Sequence, residues 1–198
     1  MTTLVLSLQP DNPCNTTITD ANGKLLYSVK TEYGKICITY VRNSNDEVIA
    51  SSRWREYLPD KVTIGDKRPT SLNDWLHKSI VPFVDELTFN DDGERKYKWK
   101  GWSAGRSLEL FSVEDGFKDP IAHFIKMKKD YSTRPPTEST PAQLVFTSRG
   151  EEIRDTVVIS FLFLEKTRRM KKDLSQNVMG IPGMGGLAAR TIAYYNGL

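Results

Sequence analysis

The first half of the chain alternates apolar and polar residues with a period of two. Leu25, Tyr27 and Val29 fall on one side of the segment from Lys24 to Lys30, and Leu26 and Ser28 on the other. That period belongs to a strand with one dry face. The same reading predicts strands at Thr3–Leu8, Asn15–Thr19, Ile36–Val41 and Val48–Trp54. Pro10-Asp11-Asn12-Pro13, Asp20-Ala21-Asn22-Gly23 and Asn43-Ser44-Asn45-Asp46 punctuate them as turns. Asn22-Gly23 favours positive φ at successive positions, which suits a tight hairpin. Such segments are too short for helices, and they recur at the spacing expected of sandwiches and barrels.

The pattern continues beyond a short helical interruption. Lys61–Ile64 reads as a strand ended by Gly65, and Thr70 or Ser71 can cap a helix from Leu72 to His77. Strands resume at Leu87–Phe89, Lys96–Lys100, Leu108–Phe111 and Ile121–Met127. In Lys96–Lys100, Tyr97 and Trp99 point one way and three lysines the other. Ser132–Pro141, rich in proline, serine and threonine, is expected to be an exposed loop, and Ala142–Phe146 a further strand.

One segment breaks the alternation. Val157 to Leu164 is apolar at every position but Ser160. Ser148-Arg149-Gly150-Glu151 ahead of it fits a capping box. Acidic Glu151, Glu152 and Asp155 precede the run, and basic Lys166, Arg168, Arg169, Lys171 and Lys172 follow it. That order complements the dipole of a helix from Glu151 to about Asp173. Val, Ile and Phe favour a central strand instead, and capping with charge order favours the helix. A helix apolar all round must be buried all round. Beyond it, Gly180 to Gly186 breaks regular structure, so residues 1–174 are expected to be one domain and 175–198 a Gly/Met-rich tail.

Composition adds little. A chain of 198 residues fits one domain with a sizeable core. A net charge of +3 is too weak for a dedicated nucleic-acid binder. Two cysteines, Cys14 and Cys37, exclude a disulfide framework and leave at most one bridge. The N-terminal apolar stretch is too short for a signal peptide, and eight apolar residues cannot span a bilayer. An intracellular, cytoplasmic protein is expected, peripheral to a membrane if it meets one.

Several segments are familiar in their order. Asn12 to Asp20 with Gly23 to Tyr27 resembles the opening of an uncharacterised single-domain family of mushroom-forming (basidiomycete) fungi. Similar too are Asp60–Ile64, Tyr97–Lys100, Pro120–Phe124, Asp155–Phe161 and Leu164–Arg169, so the resemblance covers residues 12–172. That family looks like a relative of the tubby-like superfamily, which includes LURP-one-related proteins and phospholipid scramblases. The resemblance implies a mainly β fold, a closed antiparallel β-barrel threaded by a hydrophobic C-terminal helix. It implies no catalytic residues, and this chain departs from it by some 25 residues beyond the helix.

Candidate chemistry is sparse. His77 is expected to complement a helix end, and His123 to sit in a strand on the face of Ile121 and Ile125. No metal-ligand spacing, phosphate loop or nucleophile elbow is present in the sequence, and no cofactor is expected. A barrel filled by a helix leaves no interior for a substrate. The sequence therefore predicts a non-enzymatic binding module. Lys126, Lys128, Lys129, Lys166, Arg168, Arg169, Lys171 and Lys172 are its candidate site for anionic lipid headgroups such as phosphoinositides. Two alternatives stay open: a protein-interaction domain that uses the C-terminal tail, and a small enzyme built on His123.

Overall fold

The computed structural model describes residues 3–55, 58–79, 85–103, 106–130 and 137–178. In chain order the strands are β1 Leu4–Gln9, β2 Thr16–Thr19, β3 Leu25–Glu32, β4 Ile38–Asn43, β5 Val48–Arg53, β6 Lys61–Ile64 and β7 Thr70–Ser71. After helix α1, Leu72–Trp75, come β8 His77–Lys78, β9 Glu86–Asn90, β10 Lys96–Lys100, β11 Glu109–Ser112 and β12 Pro120–Ile125. β13 Lys128–Asp130, β14 Thr137–Thr140 and β15 Ala142–Phe146 precede helices α2, Ser148–Glu152, and α3, Arg154–Val178.

Thirteen strands form one sheet in the order β7-β6-β5-β4-β3-β2-β1-β15-β12-β11-β10-β9-β8. Every ladder in it is antiparallel. Laid flat, its edges would stand about 58 Å apart. Yet edge strands β7 and β8 are joined only by α1 and Leu76, a link that reaches roughly 20 Å even when extended. The sheet must therefore curl, and α3 fills the curl. Its ladder stays open at this seam among the described residues, so the closed barrel is not formed by hydrogen bonds.

Burial follows the expectation for the apolar run. Val157, Val158, Ile159, Phe161, Leu162, Phe163 and Leu164 are each at most 2% exposed. Each such side chain removed from water contributes roughly 1.5–3 kcal/mol. Phe161 packs on Phe124 of β12 with ring centroids 4.6 Å apart. The lone polar residue of the run is satisfied from the wall: Trp99 donates its indole N–H to Ser160 Oγ at 3.1 Å. Two leucines of the seam, Leu72 and Leu76, are buried against the same core.

Local details differ from expectation for identifiable reasons. At Asp20–Gly23 only Gly23 takes positive φ (+78°), and the Asp20 carboxylate accepts from the N–H groups of Asn22 and Lys24. α1 stops at Trp75 because His77 and Lys78 pair with Thr88 and Leu87 of β9. Part of the expected loop is strand, since Thr137–Thr140 pairs with Lys128–Asp130. The long helix begins at Arg154, after α2, whose N-cap is Thr147 and not Ser148. Thr147 also reaches across to the Ile121 carbonyl, and α2 lies so close to β12 that a Cβ on Gly150 would stand 2.3 Å from the Ile121 oxygen. Cys14 and Cys37 are free thiols. α3 continues to Val178, so residues 175–178 of the expected tail are helical, and the remainder, 179–198, lies outside the described residues.

Candidate functional site

The antiparallel order sorts the connections onto two ends of the molecule. The turns at 20–24, 43–47, 65–69 and 91–95 gather around the start of α3, and the connections at 10–15, 33–37 and 54–60 around its C-terminal half. Each end holds a different arrangement of charge.

At the C-terminal end, α3 turns polar while still inside the sheet. Glu165 is 1% and Lys166 2% exposed, and Arg168 is 8% exposed. Such charges persist in a core only when paired. Lys166 pairs with Asp60, which precedes β6, and its ammonium sits 4.0 Å from the Trp54 ring centroid. Glu165 takes both arginines: Oε2 lies 2.6 Å from Arg168 Nη2, and Oε1 accepts from Arg169 Nε at 2.8 Å. Arg169 also pairs with the Asp11 carboxylate and donates to the Asp11 carbonyl at 2.7 Å. Burial opposes charge on Arg169, but Glu165 and Asp11 outweigh it and raise its pKa. Arg168 donates to the carbonyl of Arg106 at 2.7 Å.

Three of the eight expected headgroup ligands, Lys166, Arg168 and Arg169, are therefore held in internal ion pairs. Lys171 is exposed on the next turn, its ammonium 5.1 Å from the Trp102 ring centroid. Desolvation, then the charge of Lys78, push its pKa below the ordinary lysine value. Lys126 and Lys128 are exposed where β12 runs out toward the same end. Lys129 lies in β13 and Lys172 in α3, with their side chains outside the described residues. Sequence reading missed the other exposed cations of this end among the described residues: Lys35, Arg53, Arg55, Lys61, Lys78 and Arg106. Lys35, Arg55 and Lys61 flank or sit in polar connections, where charge carries no directional signal.

The opposite end is acidic. Asp46, Glu47, Asp66, Asp92, Glu94, Glu114, Asp119, Glu151, Glu152 and Asp155 are exposed there, against Lys24, Lys67, Arg68, Lys96 and Lys118. Tyr27 donates its hydroxyl hydrogen to Asp155 and accepts from Arg154 Nε at 2.9 Å. Burial opposes ionisation of Asp91, yet bonds from the Arg95 side chain and backbone and from the Tyr97 hydroxyl hold its pKa below the usual carboxylate value. Two adjoining clefts share Asp91, Asp92 and Thr156. One of about 460 Å³ has Trp75 in its wall, and one of about 330 Å³ is lined by Arg95, Glu151 and Asp155. His123 lines neither; it is half-buried, paired in register with Val145 and Glu109 and on the face opposite Ala122 and Phe124. His77 is exposed in β8. Among the described residues no cluster of three or more His, Cys, Asp or Glu is placed to hold a metal ion. No helix among them is long and apolar enough to cross a membrane.

Comparison with known proteins adds a family and a distant structural likeness. A model described as a family of unknown function, DUF6593, matches residues 11–170. No curated protein matches. The X-ray structure of a protein from Arabidopsis thaliana is 16% identical, covering 80% of this chain and 89% of that one with a TM-score of 0.41. A likeness that distant decides nothing about fold or function.

Proposed function

We propose, for a chain that belongs to the DUF6593 family and inherits no assigned activity from it, a non-enzymatic module that docks its basic end on anionic lipid headgroups. On this reading the protein is peripheral to a cytoplasmic membrane surface, and phosphoinositides are among its ligands. The observation that carries it is the segregation of charge along α3. Exposed cations ring the end where the helix emerges, while exposed carboxylates crowd the other end. A surface so divided orients itself at an anionic plane, with each cation near the plane contributing about 1 kcal/mol. Lys171 and Lys78 support the same reading, since two neighbouring ammonium groups gain from a shared anion.

The fold belongs to the proposal as well. We infer a tubby-like barrel whose last gap is closed by α1 instead of by strand pairing, in a family of fungal origin. The sequence resemblance and the all-round burial of Val157–Leu164 support that inference.

Flotation of the full chain with neutral and with phosphatidylserine- or phosphoinositide-containing vesicles tests the reading. Recovery should rise on the acidic vesicles and fall with added salt. Lys78→Glu with Lys171→Glu should lower it and leave the melting temperature within a degree or two. Equal recovery on neutral and acidic vesicles sinks the proposal.

A further inference from the structure

A single exposed apolar side chain is common on a protein surface, so its neighbours decide what it means. The two most exposed among the described residues are Leu58, at 55%, and Ile36, at 46%. They lie in neighbouring connections of the basic end, β3–β4 and β5–β6. The Trp54 N–H donates to the Cys37 carbonyl at 2.9 Å and ties these connections together. Behind them Tyr33 and Trp54 meet edge to face with centroids 6.1 Å apart, and Trp54 donates its indole N–H to Thr39 Oγ1 at 2.8 Å. The platform is thus fixed from below and greasy at its tips.

Charge decides what covers it. Lys35 adjoins Ile36, and Arg53, Arg55 and Lys61 surround the connection that carries Leu58; among the described residues Glu32 is the exposed opposing charge, and Asp60 is already paired with Lys166. Leu25 and Val48 are nearly as exposed, at 44% each, but they stand at the acidic end beside Asp20, Asp46 and Glu47. Only the first pair combines apolar tips with a cationic rim. That combination is what an anionic bilayer interface binds: apolar side chains in the headgroup–acyl boundary, cations on the phosphates.

We propose that Ile36 and Leu58 are membrane-inserting tips, entering an anionic bilayer together while Lys35, Arg53, Arg55 and Lys61 meet its phosphates. This rests on the lipid-docking reading and adds to it an orientation and a penetration step. Insertion withdraws the tips from water and orders two loops that are already tied, so little conformational freedom is lost.

The test compares the full chain with Ile36→Asp/Leu58→Asp and with Leu25→Asp/Val48→Asp on phosphatidylserine vesicles, after matched melting curves show all three folded. The first variant should lose about 10-fold or more in partitioning, about threefold or more for each half-exposed side chain withdrawn from water. The second should bind as the parent does. If the parent ignores anionic vesicles, docking and insertion both fall. If the parent binds and Ile36→Asp/Leu58→Asp binds equally, docking by charge stands and insertion is overturned. Equal losses in the two variants also overturn it, because contact would then not be confined to the basic end.

Discussion

The two ends of α3 carry charges that look alike in sequence and behave differently in the fold. At the start, Arg154 and Asp155 keep 36% and 60% of their side-chain surface and form a loose group with Tyr27. Toward the finish, Glu165, Lys166 and Arg168 keep 1%, 3% and 8%. Of the two sets, the first has Asp155 in the first turn, where the helix dipole acts, and the second lies ten or more residues before Val178, outside its reach. Only the second is desolvated, and its partners come from far away, Asp60 and Asp11 lying 106 and 158 residues earlier. A buried pair offers weak net stabilisation compared with apolar residues of the same size, but breaking one is costly. The C-terminal group therefore fixes how deep α3 sits and which way it is turned. The N-terminal group only finishes the helix.

The largest effect expected from this contrast is at Glu165. Glu165→Gln keeps the shape and removes the charge that serves Arg168 and Arg169 together. Arg169 retains Asp11, whereas Arg168 retains only carbonyl oxygens. Loss of one partner from a buried ionic group costs about 3–5 kcal/mol, read as a lower urea midpoint at unchanged slope. A loss under about 1 kcal/mol would mean that water reaches the group, and the contrast between the ends would vanish.

Next comes Tyr27 at the other end. Tyr27→Phe removes one hydrogen bond to a half-exposed carboxylate and one from a guanidinium, so about 1–1.5 kcal/mol is expected. Its pH signature is separate from that magnitude. Burial first, then Asp155, hold the phenol above its ordinary pKa of about 10. Above that pH the unfolded chain loses a proton that the folded chain keeps. The contribution is thus complete below pH ~10 and falls as the pH rises past it. Chemical unfolding between pH 9 and 11 should show a steeper decline in the parent than in Tyr27→Phe, which keeps the raised phenols of Tyr33 and Tyr97; parallel curves would detach Tyr27 from the network.

How legible this contrast was in sequence depends on the range of its causes. Val157–Leu164 announces its burial because the signal is local: no face is left for water. Alternation likewise placed Tyr97 and Trp99 inward, and both are fully buried. The basic run after Leu164 misleads, since Lys, Arg and Arg in a last turn read equally as a solvated end or as half of an ionic core. Glu165 was the available hint, at i−3 and i−4 from Arg168 and Arg169, but Asp11 and Asp60 could not be found without the sheet order. The capping error has the same origin. Ser148 is the expected cap, whereas Thr147 serves, and Thr147 also contacts Ile121 on another strand. Lys78 escaped notice because it fell just past the helix expected from Leu72 to His77, whereas pairing with β9 made it strand.

The smallest effect expected tests burial with chemistry held constant. Lys67 and Asp92 form the same kind of pair as Lys166 and Asp60, but their side chains are 62% and 84% exposed. They join the turn after β6 to the turn after β9, across the seam that the open ladder leaves between β7 and β8. If that bridge held the seam shut, Lys67→Ala would loosen it and expose Thr156 and Trp75 in the cleft below. Water screens such a pair, and two long side chains lose freedom in forming it, so the expected cost is only about 0–0.5 kcal/mol. Leu72 and Leu76, buried in the link between the edges, hold the seam by contact with the core. Lys67→Ala should therefore leave the urea midpoint nearly unmoved in low and in high salt, whereas Lys166→Ala should lower it by several-fold more in both. Similar losses in the two variants would show that removal from water does not set the strength of a Lys–Asp pair in this fold.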